Sequence, residues 1–429
     1  MEKQRLAVIG SGISGLSAAF FLSKKFNVSL FEKNNVLGGH TRTVSIFEKK
    51  KKILVDTGFI VFNKKNYQDF ISFLNYLDVN SENSEMSFSV SDTRNNIEYG
   101  GGNINSLFAQ RKNILSLQFI YFIFEILKLY RICKKLYSTK DLIDNISIEE
   151  FLKKNNFSKF VKDYHIYPMI SSIWSSNSEK AKQFPLKSFI EFFSNHGLFN
   201  IISRPQWKYI KNGSNNYIEK LINKDMFSYE TNFKIKSIKR ENDKIKILSS
   251  NKIYSFDKLV LATHADQALS LIDKPTEDEQ NLLSTFKYSK NLAVLHSDTT
   301  HMPQRKLSWS SWNFIKKSDS DNFSLTYWMN KLQNLPSKKN YFVTINPSKL
   351  PNNIIDQTIF EHPIFSLETL KAQKELYKIQ GKKNTYFCGS YFGYGFHEDG
   401  IQSAASLCKY LDVDLPWKRN KNFISRVRN

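Results

Sequence analysis

The stretch Arg5 to Glu32, RLAVIGSGISGLSAAFFLSKKFNVSLFE, leaves the chain few choices of fold. Leu6, Ala7, Val8 and Ile9 form an apolar run of the length of a buried parallel strand, and it stops at Gly10-Ser11-Gly12-Ile13-Ser14-Gly15, a full G-x-G-x-x-G. Gly10 permits the tight turn out of the strand, Gly12 presents no Cβ to a pyrophosphate, and Gly15 lets the next helix pack close to the sheet. A helix through Ala18 to Leu22 would then aim its unpaired N–H groups at the phosphates. Val28, Leu30 and Phe31 predict a second strand that delivers Glu32, an acid placed to accept hydrogen bonds from ribose hydroxyls. A carboxylate there, in place of a basic residue, argues against a 2′-phosphate. A glycine turn alone is a weak signal; strand, helix, second strand and acid in sequence predict a nucleotide site.

A second glycine pair follows in Val36-Leu37-Gly38-Gly39-His40-Thr41-Arg42, then Val55-Asp56-Thr57-Gly58-Phe59. Near the C-terminus, Thr385 to Cys388 predicts an apolar strand, Gly389 to Gly395 a glycine-rich loop, and a helix is expected to start near Gly400. In these three segments the chain resembles the flavin-containing amine oxidase superfamily, which includes protoporphyrinogen oxidase and phytoene-type desaturases. The resemblance implies an α/β fold, a Rossmann-like FAD-binding domain with an inserted α+β substrate-binding domain. It implies FAD as cofactor, with NAD the lesser reading. The cofactor-binding residues it implies, together with the fingerprint, are Gly10, Gly12, Ile13, Ser14, Gly15, Glu32, Lys33, Gly38, Gly39, His40, Thr41, Gly58, Phe59, Ile235, Gly389, Ser390, Asp399, Gly400 and Ile401. His40 stands where many family members carry Arg, and Ser390 where they carry Asp, Glu or Asn.

The chain is expected to leave and re-enter the nucleotide domain. The expected segments are 1–62 (FAD-binding), 63–205 (substrate domain, mostly helical), 206–275 (FAD-binding), 276–382 (substrate domain, sheet) and 383–429 (FAD-binding closure and tail). Met86 to Ser91 alternates as a half-buried strand does, and Tyr99-Gly100-Gly101-Gly102 reads as a turn, since no Lys-Ser or Lys-Thr helix follows it. Ser147-x-x-Glu150 predicts a capping box. The segments around 233–238, 245–248 and 253–256 predict a β-meander leading to a buried strand at 257–264. Trp309, Trp312, Tyr327 and Trp328 suggest a sheet face bearing an apolar pocket, or core.

With 429 residues there is length for two domains, and 35 Phe and 20 Tyr favour large apolar cavities or aromatic surfaces. The formal net charge is +22. Lysine is spread along the whole chain, which fits compositional drift; an anionic membrane surface is the alternative partner, and no nucleic-acid module is visible. The run Leu117 to Leu127, followed by Lys128, Arg131, Lys134 and Lys135, is either core of a helical domain or a membrane-surface helix. No run approaches the roughly 20 apolar residues of a transmembrane helix. The first strand begins directly after MEKQR, leaving no room for a cleaved signal, and Cys133, Cys388 and Cys408 follow no metal spacing. A cytoplasmic protein, peripheral at most on the inner membrane face, is expected.

No Ser-His-Asp or Cys-His set is readable, and the eight histidines show no metal spacing. His397, Glu398 and Tyr394, in the closing loop, are the candidates for proton handling or substrate orientation; a carboxylate there could equally cap a helix. The details at 311–314, 326–330 and 391–400 resemble a bacterial branch of the superfamily associated with methylated and furan fatty acid formation. That implies a desaturase drawing a lipid acyl chain from a membrane. A flavin amine oxidase, with Tyr391 and Tyr394 as its aromatic pair, and a non-catalytic membrane-associated nucleotide-binding subunit are the alternatives.

Overall fold

The computed structural model describes residues 3–141, 145–175, 177–201, 204–241, 243–317 and 323–427. Its first strand, Arg5–Ile9, runs through the glycine turn into a wholly buried opening helix, Ile13–Leu22. The strand lies at the centre of a five-stranded parallel sheet, between Asn27–Phe31 and Lys258–Leu261. Ser228–Glu230 and Thr385–Phe387 form the edges. Burial on both faces explains why the central sequence is a continuous apolar run with no alternation.

On one face, Phe20 and Phe21 of the opening helix pack with Phe70 and Phe73 of Gln68–Tyr76, Tyr217 of Asn215–Ile222 and Ile401 of the closing helix, His397–Tyr410. Each of these phenyl rings, removed from water, stabilises the lobe by about 1.5–3 kcal/mol. On the other face lies the meander expected from the sequence, Ile235–Glu241, Lys244–Ser249 and Lys252–Phe256, packed through Phe31, Phe233, Ile247 and Phe256.

A seven-stranded sheet builds the second body, in the order Ile354–Ile364, Lys287–His296, Phe342–Ile345, Ser324–Trp328, Trp312–Lys316, Phe88–Asp92, Ile97–Gly100. Phe88–Asp92 pairs in parallel with Trp312–Lys316, so sheet and helices of the second body interleave in sequence. The alternation expected of 86–91 holds only in part: Met86 and Phe88 are half-buried and line the cavity, and the strand itself begins at Phe88. Ser87, Ser89, Val90 and Ser91 are all buried, because the strand is internal to the sheet and helices cover it, and Ser89 donates to Asn313 Oδ1 at 2.7 Å. Against this sheet pack Leu117–Thr139, Ile148–Lys154, Tyr167–Trp174 and Leu186–Asn195. The Ser147–Glu150 capping box is present, with Glu150 N donating to Ser147 Oγ and Ser147 N to Glu150 Oε2. The long helix 117–139 buries Phe119, Phe122, Leu129, Tyr130 and Cys133 while Leu117, Tyr121 and Phe124 face outward. Among the described residues no helix is long and apolar enough to cross a membrane.

The closing helix begins at His397, a turn earlier than expected. Asp399 causes this by reaching back to accept the Phe396 N–H at 2.8 Å, which fixes the first turn ahead of Gly400.

Candidate active site

A cavity of about 1490 Å³ runs from the glycine turn, between the two bodies, to the helical bundle. Ligand pockets commonly span about 300–1,000 Å³, so this one has room for a dinucleotide and a second molecule. At the nucleotide end it is lined by Gly10, Gly12, Ile13, Ser14, Glu32 and Lys33, with Phe233 to Ile235 beside them. Gly12 opens directly onto it: a Cβ built there meets nothing within 4 Å. Glu32 is fixed before any ligand arrives, since its Oε2 accepts from Ser11 N at 2.9 Å and Ser11 Oγ at 2.6 Å, and its Oε1 from Asn34 N at 2.9 Å. The carboxylate therefore ties the second strand to the glycine loop, and it retains lone pairs for hydroxyl groups.

Gly39, His40, Thr41, Gly58, Phe59, Gly389, Ser390 and His397 also line the cavity. The D-x-G segment is held by Asp56, whose buried carboxylate accepts from Thr43 Oγ1, from Ser214 N and Oγ, and from Gln333 Nε2. Burial still pushes its pKa up to about 6. Phe59 stacks on the His397 ring, centroids 3.6 Å apart and planes nearly parallel, and His397 Nε2 shares a 3.0 Å hydrogen bond with Thr41 Oγ1, itself 2.6 Å from Tyr217 Oη. Desolvation holds the His397 pKa well below its ordinary value, so the ring is a neutral, fixed wall element.

Seven expected site residues stand elsewhere. Gly15 is a packing glycine, its Cβ position only 1.8 Å from Gly10 O, and Gly38 turns the loop against Ile218. Gly400 allows the closing helix to touch Ile13 and Ser14, and Ile401 is core. Asp399 is fully buried and ion-paired with Arg426, Nε to Oδ1 at 2.9 Å. Glu398 accepts from the N–H groups of Asp69 and Phe70, both at 2.9 Å, capping the helix 68–76. Burial lifts its pKa to about 8. Tyr394 donates to Glu191 Oε2 at 2.8 Å inside the helical bundle. The reason is common to the last residues: a loop followed by a helix N-terminus has one cavity-facing side, and His397 occupies it. Period two likewise separates the aromatics of the second excursion. Trp312 and Tyr327 line the cavity, while Trp309 and Trp328 pack edge-on against each other on the opposite face.

Several lining residues meet in groups that no motif announces. His40, His264 and His362 converge, with His40 centroids 6.2 and 5.3 Å from the other two, and His40 stacks on Phe360. Burial lowers their pKa values to about 4, 4 and 3, so the cluster is neutral. Among the described residues no group of His, Cys, Asp or Glu is arranged to hold a metal ion. Arg42 and Asp356 form a two-point ion pair across the cavity wall. At the helical end, Tyr130 Oη lies 2.9 Å from His165 Nε2 and Tyr99 Oη 3.1 Å from His165 Nδ1. The Arg204 guanidinium adds to desolvation in lowering the His165 pKa to about 3. His40 stands in the second glycine motif and His264 at a strand end, but the groups that meet them come from different parts of the chain, and no spacing announces the meeting. His40 Nε2, Asn215 Oδ1 and Tyr391 Oη are buried in the lining with no hydrogen-bond partner among the described residues.

Residues 8–77 match the family model of the NAD(P)-binding Rossmann-like domain. No curated protein sequence matches the chain. Among solved structures, a CLA-producing fatty acid isomerase from P. acnes is similar at 15% identity and a TM-score of 0.68, over 95% of this chain and 98% of that one. A mutant of putrescine oxidase is similar at 13% identity and 0.72, over 96% and 99%. Cyclohexylamine oxidase from Brevibacterium oxydans IH-35A is similar at 13% and 0.67, over 96% and 100%. These likenesses establish the fold along nearly the whole chain, a Rossmann-like domain with an inserted second domain.

Proposed function

We propose that this protein is an FAD-dependent oxidoreductase that removes a hydride from a C–H bond of an apolar substrate, with a lipid acyl chain bearing an anionic head as the best fit. The observation that carries this is the single cavity joining the glycine turn and Glu32 to an aromatic chamber. The residues suit FAD. Gly12 leaves an open approach for the pyrophosphate, Glu32 stands at the end of the second strand for the ribose, and Phe233 to Ile235 flank the nucleotide end. The unpartnered His40 Nε2, Asn215 Oδ1 and Tyr391 Oη offer polar contacts farther in. When bound, FAD supplies the hydride acceptor that amino-acid side chains lack. The chain's own residues position the substrate: the stacked Phe59 and His397 rings are pinned through Thr41, and Trp174, Phe192 and Trp207 give the chamber an apolar lining.

The chamber's charge favours an acyl substrate. The carboxylates in the described lining are Glu32, Asp356 and Glu361. The first is held by Ser11, the second by Arg42, and the third lies 3.5 Å from His264 Nδ1. Beyond them, at the helical end, the charged group is Arg204, which attracts a carboxylate or phosphate and repels an alkylammonium. Amine oxidation is the second reading, supported by the likeness to putrescine and cyclohexylamine oxidases. Against it, the expected aromatic pair is not formed, since Tyr394 turns to Glu191.

The test is to mix the FAD-loaded protein, without oxygen, with methylated acyl phospholipids, free fatty acids and a panel of amines. Bleaching of the flavin absorbance by an acyl compound, with a new double bond in the product, is the expected result. Bleaching by amines alone, with hydrogen peroxide formed in air, would transfer the assignment to amine oxidation. Protein that stays colourless after FAD addition would leave a non-catalytic subunit.

A further inference from the structure

Exposed large apolar residues are scattered over the described surface, but eight of the 21 fall between Ile104 and Tyr137, and the most exposed of all, Leu115, is among them. Ile104, Leu115, Leu117, Tyr121 and Phe124 are 78, 88, 84, 58 and 62% exposed, on the turn of helix 104–107, the 3-10 turn Arg111–Leu115 and the first half of the helix 117–139. Leu117, Tyr121 and Phe124 follow i, i+4, i+7 and so form one stripe along that helix, opposite the buried stripe of Phe119, Phe122 and Leu129. A contiguous apolar patch of this kind marks an interaction surface.

We propose that this face docks in the plane of an anionic lipid bilayer, with the apolar stripe in the acyl boundary and the basic residues beside it on the headgroups. Charge selects the occupant. The helix 117–139 contains one acid, Glu125, and it is buried, receiving hydrogen bonds from Ser158 N and Oγ. Arg111 and Lys112 on one side of the stripe and Arg131, Lys134 and Lys135 on the other are exposed and have no carboxylate partner among the described residues. A second copy of this chain, also at a formal +22, would bring like charges together across the stripe; an anionic bilayer brings opposite ones. Since no described helix can cross a membrane, the contact is interfacial. The same helix turns Tyr130 into the cavity, so the docked face and the chamber are the two sides of one element. The docking surface stands on its own and does not need the FAD assignment.

The experiment is co-sedimentation of the full chain with vesicles of phosphatidylcholine, alone or mixed with phosphatidylglycerol. Binding to the mixed vesicles is expected, weakening as salt is raised. The double variant Leu117→Ser/Phe124→Ser should lose about tenfold or more in vesicle affinity with its melting temperature unchanged, as both side chains are exposed. Lys134→Gln/Lys135→Gln should flatten the salt dependence, and Ile253→Ser, an exposed apolar site on the small meander sheet, should bind as the parent does. The proposal is overturned if the parent ignores anionic vesicles, or if the stripe variant binds like the parent. It is also overturned if size-exclusion shows a dimer that the stripe variant breaks, which would make a second copy the occupant.

Discussion

Gly12 and Gly15 belong to one loop, and the space around each separates ligand from scaffold. A methyl group at Gly12 would meet nothing of the protein, whereas one at Gly15 would overlap the Gly10 carbonyl. Gly12→Ala is therefore expected to melt like the parent without cofactor but to lose about tenfold or more in FAD affinity by flavin titration. Gly15→Ala should lower the unfolding free energy by about 3 kcal/mol in denaturant melts, because backbone has to shift. Glu398 shows how far residue type and contacts can diverge. Its acidic type and closeness to the closing loop suggest proton handling, yet its carboxylate caps the helix 68–76. Glu398→Ala is expected to cost about 1–2 kcal/mol of stability while turnover per folded molecule stays at the parent level. Arg204→Gln should raise KM for an anionic acyl substrate by about tenfold and leave kcat unchanged; an unaltered KM would remove Arg204 from headgroup recognition.

Among the elements, those legible in the sequence are the ones whose signal is local. The glycine turn lies within the fingerprint, the buried strands are unbroken apolar runs, and the Ser147 capping box has its own spacing. What local pattern cannot supply is direction. Nothing in Tyr394 to Ile401 says which residues face the cavity until Asp399 sets the helix start and Arg426 claims its carboxylate. The tail does the same for Asp69, which receives Trp417 Nε1 at 3.0 Å and both ends of the Arg419 guanidinium. Residues 417–426 thus strap the closing helix and the helix 68–76 together, a long-range pairing that no window of sequence contains. Arg426→Met would leave Asp399 buried without its counter-charge and is expected to destabilise by about 3–5 kcal/mol, measured by denaturant unfolding. His40 itself stands in the second glycine motif, but its convergence with His264 and His362 is not legible for the same reason, as the three come from segments that meet only at the cavity.

Over the whole molecule, all eight histidines have pKa values lowered chiefly by burial, His40, His264 and His296 to about 4 and His165 and His362 to about 3. Below the unfolded value of about 6.5 the unfolded chain binds protons that the folded one refuses, so stability is full above pH 6.5 and falls as pH drops toward 4. Glu398 and Asp56, with raised values of about 8 and 6, act in the opposite sense, favouring the folded state as pH falls through those values. Asp399, Asp163 and Asp266, also raised chiefly by burial, act with these two, but eight imidazoles outnumber five carboxylates, and the melting temperature is expected to fall between pH 7 and pH 5 in a thermal scan. The charge of +22, already self-repelling, adds to that fall as the histidines ionise.

The architecture, the cavity and its open glycine face all converge on one central claim, that the chain holds a flavin against an apolar chamber. The most direct measurement is the visible absorbance of the purified protein, as isolated and after FAD is added and the excess removed. Flavin bands that travel with the protein, close to one per chain, and that are lost in Gly12→Ala but kept in Glu398→Ala are the predicted result. A folded, monodisperse protein that remains colourless under both conditions would contradict it.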